Sequence, residues 1–328
     1  MITDKAKDSN YVLFRGESET NRLNRQYNVV KKVLGRTNAL PSSINSKGLS
    51  KVLDIAAGSL VWTLDLARTP DISTRLSPES RDPIYLYACD ISSAQFPPVE
   101  ETRKLGITTF LHDMTKPFPE DMKGTFDLVN MRLLVLGLSE QGWEKAIRNI
   151  YEILKPGGLL LIFDFNTHFV RQGRGVKSEK YEAEVSKEPF ESYTQDWRTR
   201  TNAIMDRSCI DVNGFIPDLA NGLPSMLAKA SFQQESYAAF EVPVGAAATR
   251  QESGKVQLSG DEGNFLAENY RLIYDAVWSG ALKKGVLQGV DGPIDTEEGR
   301  LAALDETFKG FSEEGAFIWW VEIVAKRI

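Results

Sequence analysis

The chain has 328 residues, 42% of them hydrophobic and 26% charged, with a net charge of −6. These proportions suit a soluble globular protein of about two domains, or one large α/β domain with insertions, and exclude wholesale disorder. The acidic balance argues against nucleic acid as a partner, because phosphate binding needs a basic face. The longest apolar runs, such as "GLLLIFDF", are far too short to cross a bilayer. The polar start "MITDKAKDSN" lacks the apolar stretch of a secretory signal. Cys89 and Cys209, the only cysteines, stand apart from any C-x-x-C. They read as reduced structural thiols in a cytoplasmic setting, with no support for a zinc or redox site.

In chain order, "ESETNRLNRQYNVVKKVL" (17–34) predicts a helix, with Leu23, Tyr27, Val30 and Leu34 on one face. Residues 38–50 read as a linker. "KVLDI" (51–55) is a first strand. A helix follows from Ser59, with Ser59 as its N-cap and Leu60, Val61, Leu64 and Ala67 on the buried side. "PIYLYACDIS" (83–92), "ITTFLHDM" (107–114) and "TFDLVNMRLL" (125–134) are strands two to four. Ser139–Leu154 is an amphipathic helix stopped by "KPGG" (155–158). "LLLIFDF" (159–165) is a fifth strand, apolar throughout, as in a parallel sheet buried on both faces. Strands separated by helices predict an α/β doubly wound sheet. Residues 170–214 read as a polar and aromatic insertion. A helix over 225–232, a strand over 232–244, a loop over 245–263, helices over 262–312 and a closing strand over 316–328 complete the chain.

Ligands in such sheets bind beyond the carboxyl ends of the strands. Polar residues stand there five times: Asp54; Asp90; His112 and Asp113; Asn130 and Arg132; Asp164 with Asn166 and His168 just after it. Asp90 suits the two hydroxyls of a ribose, one on each oxygen; the plainer reading is a helix cap. Asp113 suits an exocyclic amine, or else simply forms a turn before Thr115. The turn after strand one keeps a single glycine, Gly58, between Ala56 and Leu60. Alanine is mild there where φ is negative. Leu60 either points into the core between helix and sheet, which the helical pattern favours, or fills the pocket and blocks it.

The order of these motifs resembles that of class I S-adenosylmethionine-dependent methyltransferases: a strand and glycine turn, an acid after strand two, "HDM" after strand three, "FDLV" at strand four and "LKPGG" before strand five. More closely, "ESETNRLNRQYNVV", "TKPFPEDMKGTFDLVNMRLLVLGL" and "ILKPGGLLLIFD" resemble fungal methyltransferase-like proteins of secondary metabolism. The resemblance implies a seven-stranded Rossmann-like sheet with the last strand antiparallel. It divides the chain into an N-terminal helical lid (1–50), a cofactor-binding core (51–165), and a completing segment (166–328) with helical cap insertions at about 166–214 and 245–312. It implies S-adenosylmethionine as cofactor. Asp54 would orient the loop, and Gly58 and Ser59 would approach the methionine moiety. Asp90 would hold the ribose, Asp113 the adenine amine, and Asn130 and Met131 would face the sulfonium. Ala56, Ile91 and Met114 complete the cofactor set, and Tyr11 and Arg22 would close the site. Trp62 matches an aromatic position of these relatives, or else packs helix against sheet.

His168 is the candidate base, or a surface histidine; Asp164 is a second candidate, or serves only electrostatics; His112 supports Asp113. Phe165, Phe169, Tyr193, Trp197, Phe265, Tyr270 and Trp278 suggest an apolar or aromatic small substrate, or plain core. The expectation is a methyltransferase acting on a small metabolite at O, N or C, with no metal, no membrane, no nucleic acid and a homodimer as the one assembly entertained. The alternatives are non-methylating chemistry on the same fold, such as a cyclisation, or a non-catalytic regulatory binding protein.

Overall fold

The computed structural model describes residues 17–77, 79–171, 195–250 and 256–328. Helix α1 (Glu17–Val33) carries acids in its first turn and lysines in its last, complementing the helix dipole, and buries Tyr27, Val29, Val30 and Val33. Then come β1 (Lys51–Ile55), α2 (Val61–Arg68), α3 (Pro70–Ser73), β2 (Tyr85–Asp90), α4 (Val99–Lys104), β3 (Ile107–Leu111), β4 (Phe126–Arg132), α5 (Glu140–Ile153) and β5 (Leu154–Val170). The rest comprises α6 (Trp197–Asn213), α7 (Leu219–Lys229), β6 (Phe232–Val244), α8 (Ala246–Thr249), α9 (Gly260–Lys283), α10 (Glu297–Glu313) and β7 (Ala316–Arg327). A two-residue ladder, Gln288–Gly289 with Gly292–Pro293, joins α9 to α10.

The seven strands lie in the order β3-β2-β1-β4-β5-β7-β6. β1 to β5 are parallel, and β7 is antiparallel to both of its neighbours, β5 and β6. This is the doubly wound, Rossmann-like arrangement expected from the sequence. Alternate side chains of the central strands enter two separate cores. Leu53, Ile55, Val129, Met131, Leu160 and Ile162 join the one containing Trp143 and Ile147 of α5. Val52, Leu128 and Leu161 join the one containing Trp62 and Leu66 of α2. Helices on both faces bury the parallel strands, which is why those strands read as unbroken apolar runs.

Several boundaries differ from expectation. β5 begins at Leu154, directly after α5, so "KPGG" lies inside the strand, and α8 falls within the expected loop over 245–263. α2 begins at Val61, and Ser59 does not cap it: the residue at the N-cap is Leu60, at φ 60°, with no side-chain cap. The Ser59 hydroxyl is turned instead to Asn24 of α1. β5 does not stop at Phe165. It continues to Val170 because β7 is long enough to pair with it there, Phe169 opposite Ile318, after a register shift between Phe165 and Phe169. Asn166 and His168 therefore lie inside a strand and not in a loop beyond it. α7 begins at Leu219, before Pro224, because the Asn166 side chain accepts from the Ala220 amide and fixes the first turn.

Candidate functional site

A cleft of about 290 Å³ opens at the carboxyl ends of β1 to β4. Its walls come from the loop after β1, the ends of β2, β3 and β4, and the start of α5; Leu23 and Gln26 of α1 close it from the other side. α1 is fastened there by Ser59 to Asn24 (2.8 Å) and Thr20 to Gln95 (2.7 Å), and Leu23 packs 3.4 Å from where a Cβ on Gly58 would stand. Any side chain at residue 58 would meet Leu23 and would have to adopt φ 54°.

Of the residues singled out in the sequence, Ala56, Gly58, Ser59, Asp90, Ile91, Asp113 and Met114 line this cleft together. Asp90 ties two loops: Oδ2 accepts from the Gly58 amide at 3.0 Å and Oδ1 from the Ser92 amide at 3.1 Å. The next helix, α4, begins only at Val99, so Asp90 holds a bend and does not cap a helix. Asp113 uses one oxygen for its turn, Oδ1 accepting from the amide and hydroxyl of Thr115 at 2.9 and 2.7 Å. Its Oδ2 takes no hydrogen bond among the described residues. His112 also lines the cleft, its pKa lowered by burial.

Asp54, Asn130 and Met131 lie under the cleft and do not line it. Asp54 is buried; its Oδ2 accepts from the Thr63 hydroxyl at 2.6 Å and its Oδ1 from the Asn130 side-chain amide at 2.7 Å. Burial raises its pKa against the opposing charge of Arg132. Met131 is packed in the core with α5. Arg22 does not line the cleft itself; it is bonded to Glu19 at 2.6 and 2.7 Å, to Asn269 of α9, and at 3.3 Å to Gln26, which does line it. Tyr11 lies outside the described residues.

The two candidate catalytic residues are also outside the cleft lining. Asp164 is fully buried. Its carboxyl accepts from the amides of Leu134 (2.7 Å), Phe165 (3.0 Å) and Val135 (3.3 Å), so it holds the turn after β4. His168 sits in β5 with Nε2 2.5 Å from Asp206 Oδ1. Burial alone would lower its pKa, but the bond to Asp206 and the charges of Asp206 and Asp218 raise it. Among the described residues no group of His, Cys, Asp and Glu could hold a metal, and no helix is long and apolar enough to cross a membrane.

The aromatic residues expected near a substrate form core instead. Phe169 packs against Trp197, Tyr270, Tyr274 and Phe311 with centroids 4.7–6.4 Å apart. Phe165 touches Tyr270, Tyr274 touches Trp278, and Arg25 covers Phe265. Tyr193 lies outside the described residues. Trp62 is likewise buried, its indole N–H given to the Ala39 carbonyl. The cleft end near α5 is lined instead by Leu133, Leu134 and Leu138. These three, with Leu23 and Gln26, escaped the sequence reading because they sit within ordinary apolar or helical patterns.

The glycine-poor turn is left-handed at alternate residues: Ala56 at φ 52°, Gly58 at 54° and Leu60 at 60°. The negative φ under which alanine would be mild is thus not met, and each non-glycine residue there bears about 1–2 kcal/mol of strain. Leu60 is fully buried in the α2-side core with Trp62 and Leu66, clear of the cleft. Leu60→Gly relieves the backbone strain and deletes a packed side chain, which costs about 2–5 kcal/mol when truncated to alanine. A net loss of about 2 kcal/mol is expected in denaturant unfolding. An increase in stability would mean that leucine packs poorly there.

Residues 54–162 match the family model described as a methyltransferase domain. The chain is 31% identical over 159 residues to methyltransferase grgD of Penicillium sp., an alignment covering 48% of this chain and 53% of that one. It is 29% identical over 164 residues to N-methyltransferase sirN of Leptosphaeria maculans, covering 49% and 52%. To N-methyltransferase tcpN of Claviceps purpurea it is 27% identical over 161 residues, covering 48% and 53%. The chain spans about half the length of these curated relatives.

Proposed function

With a methyltransferase domain over residues 54–162 as the starting point, we propose that the chain transfers a methyl group from S-adenosylmethionine to a small molecule. One observation carries this reading: Asp90 and Asp113, distant in sequence, stand on adjacent strand ends and both face one cleft. The residues present fit the cofactor. Asp90 offers two acceptor oxygens for the ribose hydroxyls, and Asp113 Oδ2 offers one for the adenine amine. The loop from Ala56 to Ser59 gives close backbone approach for the amino-acid part. Asp54 and Asn130 act from beneath, by fixing the ends of β1 and β4 to one another. α1 serves as the lid, through Leu23, Gln26 and its bonds to Ser59 and Gln95.

The bound cofactor supplies an activated methyl, and the chain's own work is then positioning, an effect that can lower a barrier by roughly 7–11 kcal/mol. The acceptor enters at the α5 end of the cleft, against Leu133, Leu134 and Leu138, which suits an apolar small molecule. Two of the relatives above carry N-methyltransferase in their names, so nitrogen acceptors are the first to try. His168, already bound to Asp206 and away from the cleft, is not assigned as base. The non-methylating alternative rested on Leu60 obstructing the pocket, and Leu60 faces the core.

Calorimetry with S-adenosylhomocysteine tests the reading, with micromolar binding as the expected result. Transfer of labelled methyl from S-adenosylmethionine to a panel of small amines then tests the chemistry. Absence of nucleoside binding at millimolar ligand would remove the proposal.

A further inference from the structure

Among the described residues that line the cleft, Arg132 is the one Lys or Arg. It ends β4, just before Leu133 turns the backbone at φ 59°. Its guanidinium carbon lies 4.9 Å from the centroid of the Tyr27 ring. Burial pulls its pKa down, against the charge of Asp54. Yet the guanidinium makes no hydrogen bond and no ion pair among the described residues, and Nη1 is buried without a partner. Asp54 is turned to other donors, each of its oxygens accepting from Asn130 or Thr63. A buried guanidinium N–H without an acceptor is costly, and an anionic group entering the cleft would supply the acceptor.

The sheet order says which end of a ligand that group would occupy. Asp113 follows β3, Asp90 ends β2, the Ala56–Ser59 loop follows β1, and Arg132 ends β4, in the spatial sequence β3-β2-β1-β4. Three strand spacings, about 14 Å, separate the first from the last. An adenosine with its base at Asp113 and its ribose at Asp90 carries its tail toward β1 and β4. Resting on the function proposed above, we propose that Arg132 binds the α-carboxylate of the cofactor's methionine part through two parallel N–H···O bonds. This gives the cleft acceptors at its nucleoside end and a forked donor at its amino-acid end, and it selects nucleosides with an anionic tail.

The test compares two ligands by calorimetry on the full chain: S-adenosylhomocysteine, and 5′-methylthioadenosine, which keeps the nucleoside and sulfur but lacks the carboxylate. Arg132→Gln is expected to lose about 10- to 100-fold in affinity for the first ligand and to stay within about threefold for the second. Arg132→Lys keeps a charge near Asp54 while losing the fork, which guards against a folding defect. It is expected to lose about 3- to 10-fold for the first ligand only. Equal losses for both ligands, or no loss for S-adenosylhomocysteine, overturn the assignment of Arg132 and leave the proposed function standing. A wild-type chain that binds neither nucleoside overturns both.

Discussion

Asp90→Ala is expected to weaken S-adenosylhomocysteine binding by about a hundred- to ten-thousandfold. Two charge-assisted bonds to a ribose are each worth about 1.5–3 kcal/mol, and each 1.4 kcal/mol is tenfold. The same carboxylate also joins the Gly58 and Ser92 amides, so alanine releases both loops that border the cleft. Loss of binding must therefore be read beside a melting curve. Asp90→Asn removes less. It keeps one acceptor oxygen and roughly the shape of the side chain but sets an NH2 against one of the two amides, so it is expected to lose about tenfold in affinity and less stability than Asp90→Ala. Full affinity in the folded Asp90→Ala chain would remove the ribose assignment, whatever its melting temperature.

Stability should fall as pH rises from about 4 to neutrality, and Asp164 is the reason. Burial pushes its pKa up from 3.8 to about 7, outweighing the backbone amides of Leu134, Phe165 and Val135 that favour the charged form. In the unfolded chain the carboxyl loses its proton near 3.8; in the folded chain it keeps the proton until about 7. The stability from this group is thus full below about pH 4, declines as pH rises, and levels out above about pH 7. The expected decline between pH 5 and pH 8 is about 2–3 kcal/mol. Asp164→Asn does not titrate, so the difference between the two proteins' unfolding curves isolates the effect from other groups. Asp127, for example, is held below the usual carboxylate range with burial opposing that shift, chiefly by Lys155 and Ser50. A flat difference curve would mean that three amides suffice to keep the buried carboxyl charged.

The sheet was legible because its strands are buried on both faces. "LLLIFDF" and "TFDLVNMRLL" have few alternatives once helices must cover them. The acids at strand ends were legible too, since Asp90 and Asp113 break apolar runs where a sheet of this kind opens to ligand. What escaped the sequence depends on partners far along the chain. Leu60 has no local reason to sit at φ 60°; the packing of α2 against β1 places it there. β5 runs to Val170 only because β7 extends far enough to receive it. Arg22 turns to α9 because Asn269 lies across from it. The aromatic residues, scattered from 165 to 311, give no sign in sequence that they stack on one another. Arg132 was visible as a polar strand end, but its want of an acceptor is a fact of three dimensions.

The position of β7 bears on the order in which the sheet can assemble. Among the described strands β6 pairs with β7 alone, and β7 follows it only after α8, α9 and α10. During synthesis, the five parallel strands and their helices can therefore assemble around the cleft while the segment 232–244 has no strand to pair with. Until residues 316–327 slide between β5 and β6, that segment has backbone groups available to any passing strand, and a nascent chain stalled at that stage is the one most exposed to mispairing.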